Sequence, residues 1–332
     1  MSRQNLPSWA ALLLLVIATL GGALAYPGLL SGQVLLNLLI DNAFLLVVAV
    51  GMSFVILSGG IDLSVGSVVA LTTMLLAWGV ERGHLSPLLV IPLLLLGGAA
   101  FGALMGWVIH AFAVPAFIVT LAGLFLARGL CYLLSVDSIP IADETLAAWS
   151  QARWSLGPLG EITPGAVCAL VVLAVAAWVA RSTGFGRAVY ALGGQESSAR
   201  LMGLPVAATR IAVYAVSGFC AALGGVLFGV YTLSGYGLHA QGLELDAIAA
   251  VVIGGALLSG GIGHVLGALT GVLMLGLIQT LILFDGTLSS WWTRIAIGAL
   301  LGLFCGLQRL LVLLPKARLL ALLSGRRRLP SS

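Results

Sequence analysis

Ser58-Gly59-Gly60-Ile61-Asp62-Leu63-Ser64-Val65-Gly66-Ser67 is the stretch that decides the fold class. It drops one acid, three serines and three glycines between runs that otherwise read as lipid-soluble helix. A lone carboxylate in such surroundings is costly unless protein or water encloses it, so it marks a functional site by default. The plainer reading is a polar turn at a membrane surface.

The flanks of this corner set the class. Charged residues make up 8% of the 332 positions and hydrophobic residues 61%; a soluble domain carries roughly a quarter charged residues. No Asp, Glu, Lys or Arg falls between Arg3 and Asp41, Arg82 and Arg128, Arg210 and Glu244, or Asp246 and Asp285. One membrane crossing needs ~20 apolar residues, so the second and fourth gaps hold about two crossings each. The chain reads as an all-α polytopic membrane protein, a single domain over 1–332. The runs are continuous and do not alternate, which excludes a β-barrel in practice. Ten spans are expected, near 8–26, 33–58, 66–81, 87–110, 115–135, 163–181, 209–232, 245–258, 263–284 and 291–314. Asp41-Asn42 interrupts the second, leaving two half-helices or one kinked helix. Arg3 and the apolar run before Ala23-Leu24-Ala25 also fit a signal peptide, but the remaining chain needs a first span, so retention is the default.

With both ends inside, the inner face collects Arg3, Arg181, Arg187, Arg200, Arg210, Arg309, Lys316, Arg318, Arg326, Arg327 and Arg328, eleven of the fifteen basic residues. The outer side keeps Arg82, Arg153, Arg294 and, near a span end, Arg128. The positive-inside rule selects this orientation, that of a bacterial inner membrane protein with cytoplasmic termini. Glu81, Asp137, Asp143, Glu144, Glu161, Glu244, Asp246 and Asp285 fall outside. The net charge of +4 is then a property of one membrane face and does not argue for nucleic acid. Cys131, Cys168, Cys220 and Cys305 sit singly in apolar runs and read as packing residues. The four histidines are scattered, and no metal site is expected.

Two glycine ladders, Gly98/Gly102/Gly106 and Gly298/Gly302/Gly306, each lie on one helix face and read as packing seams. The corner itself recurs: Leu57-Ser58-Gly59-Gly60-Ile61 reappears as Leu258-Ser259-Gly260-Gly261-Ile262. Broken helices in two halves point to a translocation pathway, although tight turns explain the repeat as well. The largest inner loop, 182–208, opens with Gly193-Gly194 as a flexible entry. Ser197 or Ser198 is placed to cap a short helix over Ala199 to Leu204, with Glu196 at its positive end and Pro205 ending it. Such a helix suits either docking in a groove of a cytoplasmic partner or an interfacial turn without one.

No nucleophile–base motif, catalytic carboxylate pair or P-loop is present, and Lys316 is the only lysine. The chain is therefore not expected to be an enzyme. If ATP drives it, a separate subunit hydrolyses it.

SGGIDLSVGSVVAL at 58–71, preceded by AVGMSFVIL, closely resembles the permease subunits of bacterial sugar ABC importers of the ribose, xylose and arabinose type. So do ALGGQESSARLMGL at 191–204 and ELDAIAAVVIGGALLSGG at 244–261, and the likeness covers nearly the whole chain. DNAFL at 41–45, PAFIVTLAG at 115–123 and FDGTLSSWWTRIAIG at 284–298 are similar to one of the two permeases of galactofuranose importers. The resemblance implies about ten helices in a permease dimer, here a heterodimer. It implies two ATPase domains of an ABC ATPase partner below, holding ATP and Mg, and a periplasmic sugar-binding protein above. No cofactor is expected in this chain. It assigns coupling to the ATPase to Gly193, Gly194, Gln195, Glu196, Ser197, Ser198, Ala199, Arg200, Leu201, Met202, Gly203 and Leu204. The departure is the basic tail, 315–332, suited to fixing orientation or touching anionic lipid.

Candidate pathway residues are the polar groups in or beside apolar runs: Asn37, Asp41, Asn42, Ser58, Asp62, Thr120 and Gln279. Each is also a possible helix–helix hydrogen bond. The outer acids, in the 137–161 loop and at Glu244 and Asp246, form a candidate docking face for the binding protein. The competing reading is a secondary transporter or channel acting alone, for which Asp41 and Asp62 are thin support. A third is a membrane scaffold.

Overall fold

The computed structural model describes residues 6–287, 289 and 291–313. Arg3 and the basic tail expected over 315–332 lie outside the described residues. Helices account for the apolar runs: α1 (Leu6–Ala25), α2 (Gly32–Ile40), α3 (Ala43–Leu57), α4 (Val65–Ala77), α5 (Pro87–Ala111), α6 (Ala116–Leu134), α8 (Pro164–Ser182), α11 (Val206–Thr232), α12 (Leu243–Ile253), α13 (Gly267–Asp285) and α14 (Trp291–Leu313). Between them lie an outer-loop helix, α7 (Glu144–Gln151), and two inner-loop helices, α9 (Gly184–Gly194) and α10 (Glu196–Leu201). Among the described residues, seven helices are long and apolar enough to cross a membrane, and α2 with α3 makes an eighth as a broken span. The break falls at Asp41-Asn42 with a bend of 54°.

The structure departs from ten simple spans at the tenth, where the described apolar stretch is Trp291–Gly306 and short of a full crossing, and most clearly at the eighth, expected over 245–258. α12 is only eleven residues long, and residues 254–266 form an irregular turn without helix. Gly254, Gly255, Gly260, Gly261 and Gly263 break the apolar run, so hydropathy alone overstates the helix.

α3 is the centre of the bundle. It is apolar on every side, and all of its residues except Phe44 are buried, as expected of a helix without a polar face. α11 packs along α3, α4 and, most extensively, α5. The first glycine ladder makes that contact. A Cβ on Gly102 would overlap the Tyr214 carbonyl, and one on Gly98 would meet Ala222 and the Gly218 backbone. Gly218 is caught in return against the Gly98 carbonyl. With no hydrophobic force between helices in lipid, such close backbone approach supplies the packing. The second ladder behaves differently: Gly298, Gly302 and Gly306 have open space around them.

Two short antiparallel pairs order the outer loops: β1 (Ile139–Pro140) with β4 (Ser234–Gly235), and β2 (Trp154–Ser155) with β3 (Glu161–Ile162). Asp143 caps α7 through the Leu146 amide, and Glu81 accepts from the amides of Ala142 and Asp143.

The seam predicts opposite signs for two neighbouring substitutions. Gly102→Ala should destabilise by about 1–3 kcal/mol, because the methyl has no space. Gly97→Ala, on the open face of the same helix, should be neutral or stabilising by up to about 1 kcal/mol. Thermal unfolding of the two variants in detergent checks this; equal effects would refute the seam.

Candidate functional site

Asp62 is fully buried. Its Oδ1 accepts from the Ser64 amide at 2.9 Å and the Ser64 hydroxyl at 2.6 Å, and its Oδ2 accepts from the Ser217 hydroxyl at 2.7 Å. A buried carboxylate is tolerated only when hydrogen-bonded in this way. The corner 58–64 is thereby tied to the middle of α11. Two more bonds reinforce it: the Tyr214 and Thr120 hydroxyls both donate to the Ile61 carbonyl, each at 3.4 Å.

The two copies of the repeated corner meet. The Gly261 amide donates to the Leu57 carbonyl at 2.9 Å, and Gly260 sits against the backbone of Gly59 and Gly193. Gly59 and Gly260 have φ of +82° and +83°, which β-carbons resist. The repeat is thus a pair of tight turns in contact. The end of α9 is the third member, since a Cβ on Gly193 would overlap the Leu57 carbonyl. Tyr190 on α9 donates to the Gly263 carbonyl at 3.0 Å. Burial pushes its hydroxyl above the usual phenol range, so it stays protonated as a donor.

This junction corrects the expected inner loop. Gly193-Gly194 is the last turn of α9 and not a flexible entry; close approach requires glycine at 193, whereas a Cβ on Gly194 would meet nothing. The short helix spans Glu196–Leu201, three residues earlier than expected, with Gln195 in the N-cap position. Neither Ser197 nor Ser198 caps it; the Ser198 hydroxyl bonds the Gln195 side chain instead. Glu196 pairs with Arg210 of α11 at 2.6 Å and with Arg200 at 3.3 Å. Ala199 is buried under the helix, and the Gly203 amide closes its end on the Arg200 carbonyl. Leu201 and Met202 project outward, 89% and 66% exposed, with Leu204 tucked back against Val206. A crevice of about 390 Å³ separates α10 from the corner, lined by Ser58, His110, Glu196, Arg200 and Arg210.

The pathway candidates fall into two groups. Ser58, Asp62 and Thr120 gather at the corner. Asn37, Asp41, Asn42 and Gln279 lie at the α2–α3 break and on α13. Asn42 is buried, donating to the Leu38 carbonyl beneath Gly276, one turn from Gln279. Asn37, Asp41 and Gln279 are exposed; Asp41 accepts from the Tyr231 hydroxyl and Asn37 from Gln33.

Sequence reasoning missed a re-entrant segment. Residues 233–242 run back along α4, with Gly235 against Thr73 and Ala77, and the Ala240 carbonyl against Gly66. Arg128 holds the segment by donating to the carbonyls of Gly237 and His239 at 2.6 and 2.8 Å. Glu244 and Asp246 therefore do not belong to an outer acidic face. Glu244 packs against Gly66 in the first turn of α4, and Asp246 pairs with Arg294 at 3.2 Å. The signal was the glycine-rich SGYGLHAQG at 234–242 before a short apolar helix. Asp137, Glu144 and Glu161 remain exposed on the outer loop.

The family model described as branched-chain amino acid transport system / permease component matches residues 34–305. The chain is 51% identical over 314 residues to the inner membrane ABC transporter permease protein YjfF of Escherichia coli (strain K12), covering 95% of each chain. It is 35% identical to the fructose import permease protein FruG of Bifidobacterium longum, covering 93% of this chain and 92% of the relative. It is 38% identical to the ribose import permease protein RbsC of Haemophilus influenzae, covering 87% and 88%. No solved structure matches the chain.

The Asp62 cluster makes its own prediction. Asp62→Ala leaves two buried hydroxyls and an amide without their acceptor and should cost about 3 kcal/mol. Ser217→Ala removes one bond to a charge and should cost about 2 kcal/mol. Thermal unfolding in detergent reads both. A Ser217→Ala variant as stable as the parent would remove the tie between corner and α11.

Proposed function

Because the chain belongs to the branched-chain amino acid transport system / permease component family, within its sugar ABC importer permeases, we propose that it is one permease of a heterodimeric importer carrying galactofuranose from periplasm to cytoplasm. ATP and Mg are held by a separate ABC ATPase, and a periplasmic binding protein delivers the sugar to the outer loops. Both termini are cytoplasmic.

The observation that carries this reading is the exposed apolar tip of α10. Leu201 and Met202 protrude from a helix that is otherwise braced from behind. Bare leucine and methionine beside a charged crevice suit a groove on a partner protein. A push on α10 has two rigid exits. One is the Glu196–Arg210 pair into α11, and the other is the glycine junction from α9 into both corners. ATP-driven closure of the partner would move these together and switch the access of the polar groups at Ser58 and Thr120, Asn37 and Asp41, and Gln279. The family motif at 191–204 and the likeness at 284–298 support the assignment to coupling and to galactofuranose. A solo secondary transporter is less favoured, because Asp62 has its carboxylate fully engaged by hydrogen bonds and not left to bind a coupling ion.

Reversing the charges of Glu196 and Arg200 would test coupling poorly, since Glu196 also ties α10 to α11. Leu201→Ser with Met202→Ser is cleaner. We expect copurification of the ATPase to fall about ten-fold or more and sugar-stimulated ATP hydrolysis to be lost, while thermal unfolding of the isolated permease stays within about 0.5 kcal/mol, as for surface changes. Undiminished ATPase capture would refute the docking role. Uptake of labelled galactofuranose, ribose and fructose in vesicles with the full importer decides the sugar: galactofuranose should be preferred, and equal or better uptake of ribose would overturn that choice.

A further inference from the structure

A second crevice on the arginine-rich face, about 970 Å³ in volume, lies between the start of α1, the end of α8, α9 and the turn before α13. It plays no part in the docking of α10. Arg181 from the last turn of α8 and Arg187 from α9 both line it, and no carboxylate does. The ion pairs among the described residues involve neither arginine. The N-terminus of the nineteen-residue α13 lies beside the same space without a side-chain cap, its first amides donating to the carbonyls of His264, Val265 and Leu266. Its backbone dipole adds positive potential. Ser8 supplies a buried hydroxyl oxygen with no hydrogen-bond partner among the described residues.

The wall toward the lipid is apolar. Trp9 and Leu12 of α1 line it, and the outward face of α1 is bare: Trp9 is 52% exposed and Leu13 61%. A tryptophan at the mouth suits the headgroup zone. The general arginine bias of this face explains the sign of the charge, but not a roomy, acid-free cavity lined by two arginines and closed on one side by an apolar wall. A free phosphate would occupy a small part of such a volume, which lies within the ~300–1,000 Å³ range of small-ligand pockets. The mixed lining calls for a ligand with an anionic head and an apolar tail.

We propose that this crevice binds an anionic phospholipid of the facing leaflet, its phosphate held by Arg181 and Arg187 near the positive end of α13 and its acyl chains lying along α1. Basic pockets between membrane helices take such headgroups. The site backs onto the glycine junction through Tyr190 and Gly263, so a bound lipid braces the turn that α9 presses against. The proposal concerns lipid alone and stands apart from the sugar and the ATPase.

The test uses the full chain, purified in detergent, with phosphatidylglycerol and phosphatidylcholine titrated separately and bound lipid counted by native mass spectrometry. Phosphatidylglycerol should bind with at least about ten-fold preference, and Arg181→Gln with Arg187→Gln should weaken it about ten-fold or more, near what two basic contacts supply. Arg153→Gln, on the opposite face, should change nothing, and Arg187→Lys should retain binding. Should the double variant fold poorly, the comparison of Arg187→Lys with Arg187→Gln decides alone. Equal binding of phosphatidylcholine, unchanged binding in the glutamine variants, or displacement of the lipid by millimolar inorganic phosphate would each overturn the proposal, the last by marking a soluble-anion site.

Discussion

A carboxylate with no access to water has to be answered by donors, and in this protein that requirement fixes the corner between α3 and α4. Asp62 is met by Ser64 within its own turn and by Ser217 from α11. The first bonds shape the turn; the last one locates it. Removing a hydrogen-bond donor from a buried carboxylate costs about 2 kcal/mol, which resists drift of the corner along α11. Once it is fixed, the Leu57 carbonyl stands where the Gly261 amide and the end of α9 converge on it. The seam of Gly98, Gly102 and Gly218 then sets α5 against the same α11. Two contacts through α11 and the glycine junction at Leu57 thus define the arrangement around the nearly buried α3.

Much of this was legible in the sequence. Uncharged runs separated by arginines gave the helices, because lipid tolerates few alternatives to helix. The Asp41-Asn42 break and the first glycine ladder were visible for the same reason: polar pairs and four-residue glycine spacing have few other uses in an apolar span. The corner was visible because Asp62 had to be answered, but Ser217 and Tyr214 could not be named as its partners. They are 155 and 153 residues away from the groups they bond, and nothing local distinguishes them. The depth of Glu244 was misread for a related reason. Charge on a linear map says that a segment avoids lipid, not that it avoids the interior, and Glu244 lies against Gly66 behind the segment that Arg128 holds. The start of α10 was misplaced because serine caps were weighed locally, whereas Glu196 is held by Arg210, a tertiary contact that outranks them.

The placement of α10 matters more than its length. Six residues make a poor helix on their own. It persists because Ala199 is buried beneath it and Glu196 anchors its first turn. Under the proposed function the same anchoring would make it a stiff transmitter. A flexible Gly193-Gly194 entry would absorb a push from below; the observed close packing of those glycines against Leu57 and Gly261 would pass it on. Glycine here serves proximity and not flexibility.

The two groups of polar candidates bear on how many chains the proposed pathway needs. The corner group is inside the bundle and largely spent on internal hydrogen bonds. The Asn37, Asp41 and Gln279 group is exposed. Between them runs α3, buried at nearly every position and apolar except at Ser53, whose hydroxyl is spent on the Ala49 carbonyl. A sugar cannot cross that core, because its hydroxyls would lose water without gaining partners. Its route under the proposed function therefore runs over the surface of this chain, and a surface route across a bilayer needs a second wall to exclude lipid. The unfilled glycine face of α14, where Gly298 and Gly302 meet nothing, is the kind of surface on which another helix can come close. Under the proposed function a second chain is thus asked for by this chain's own packing.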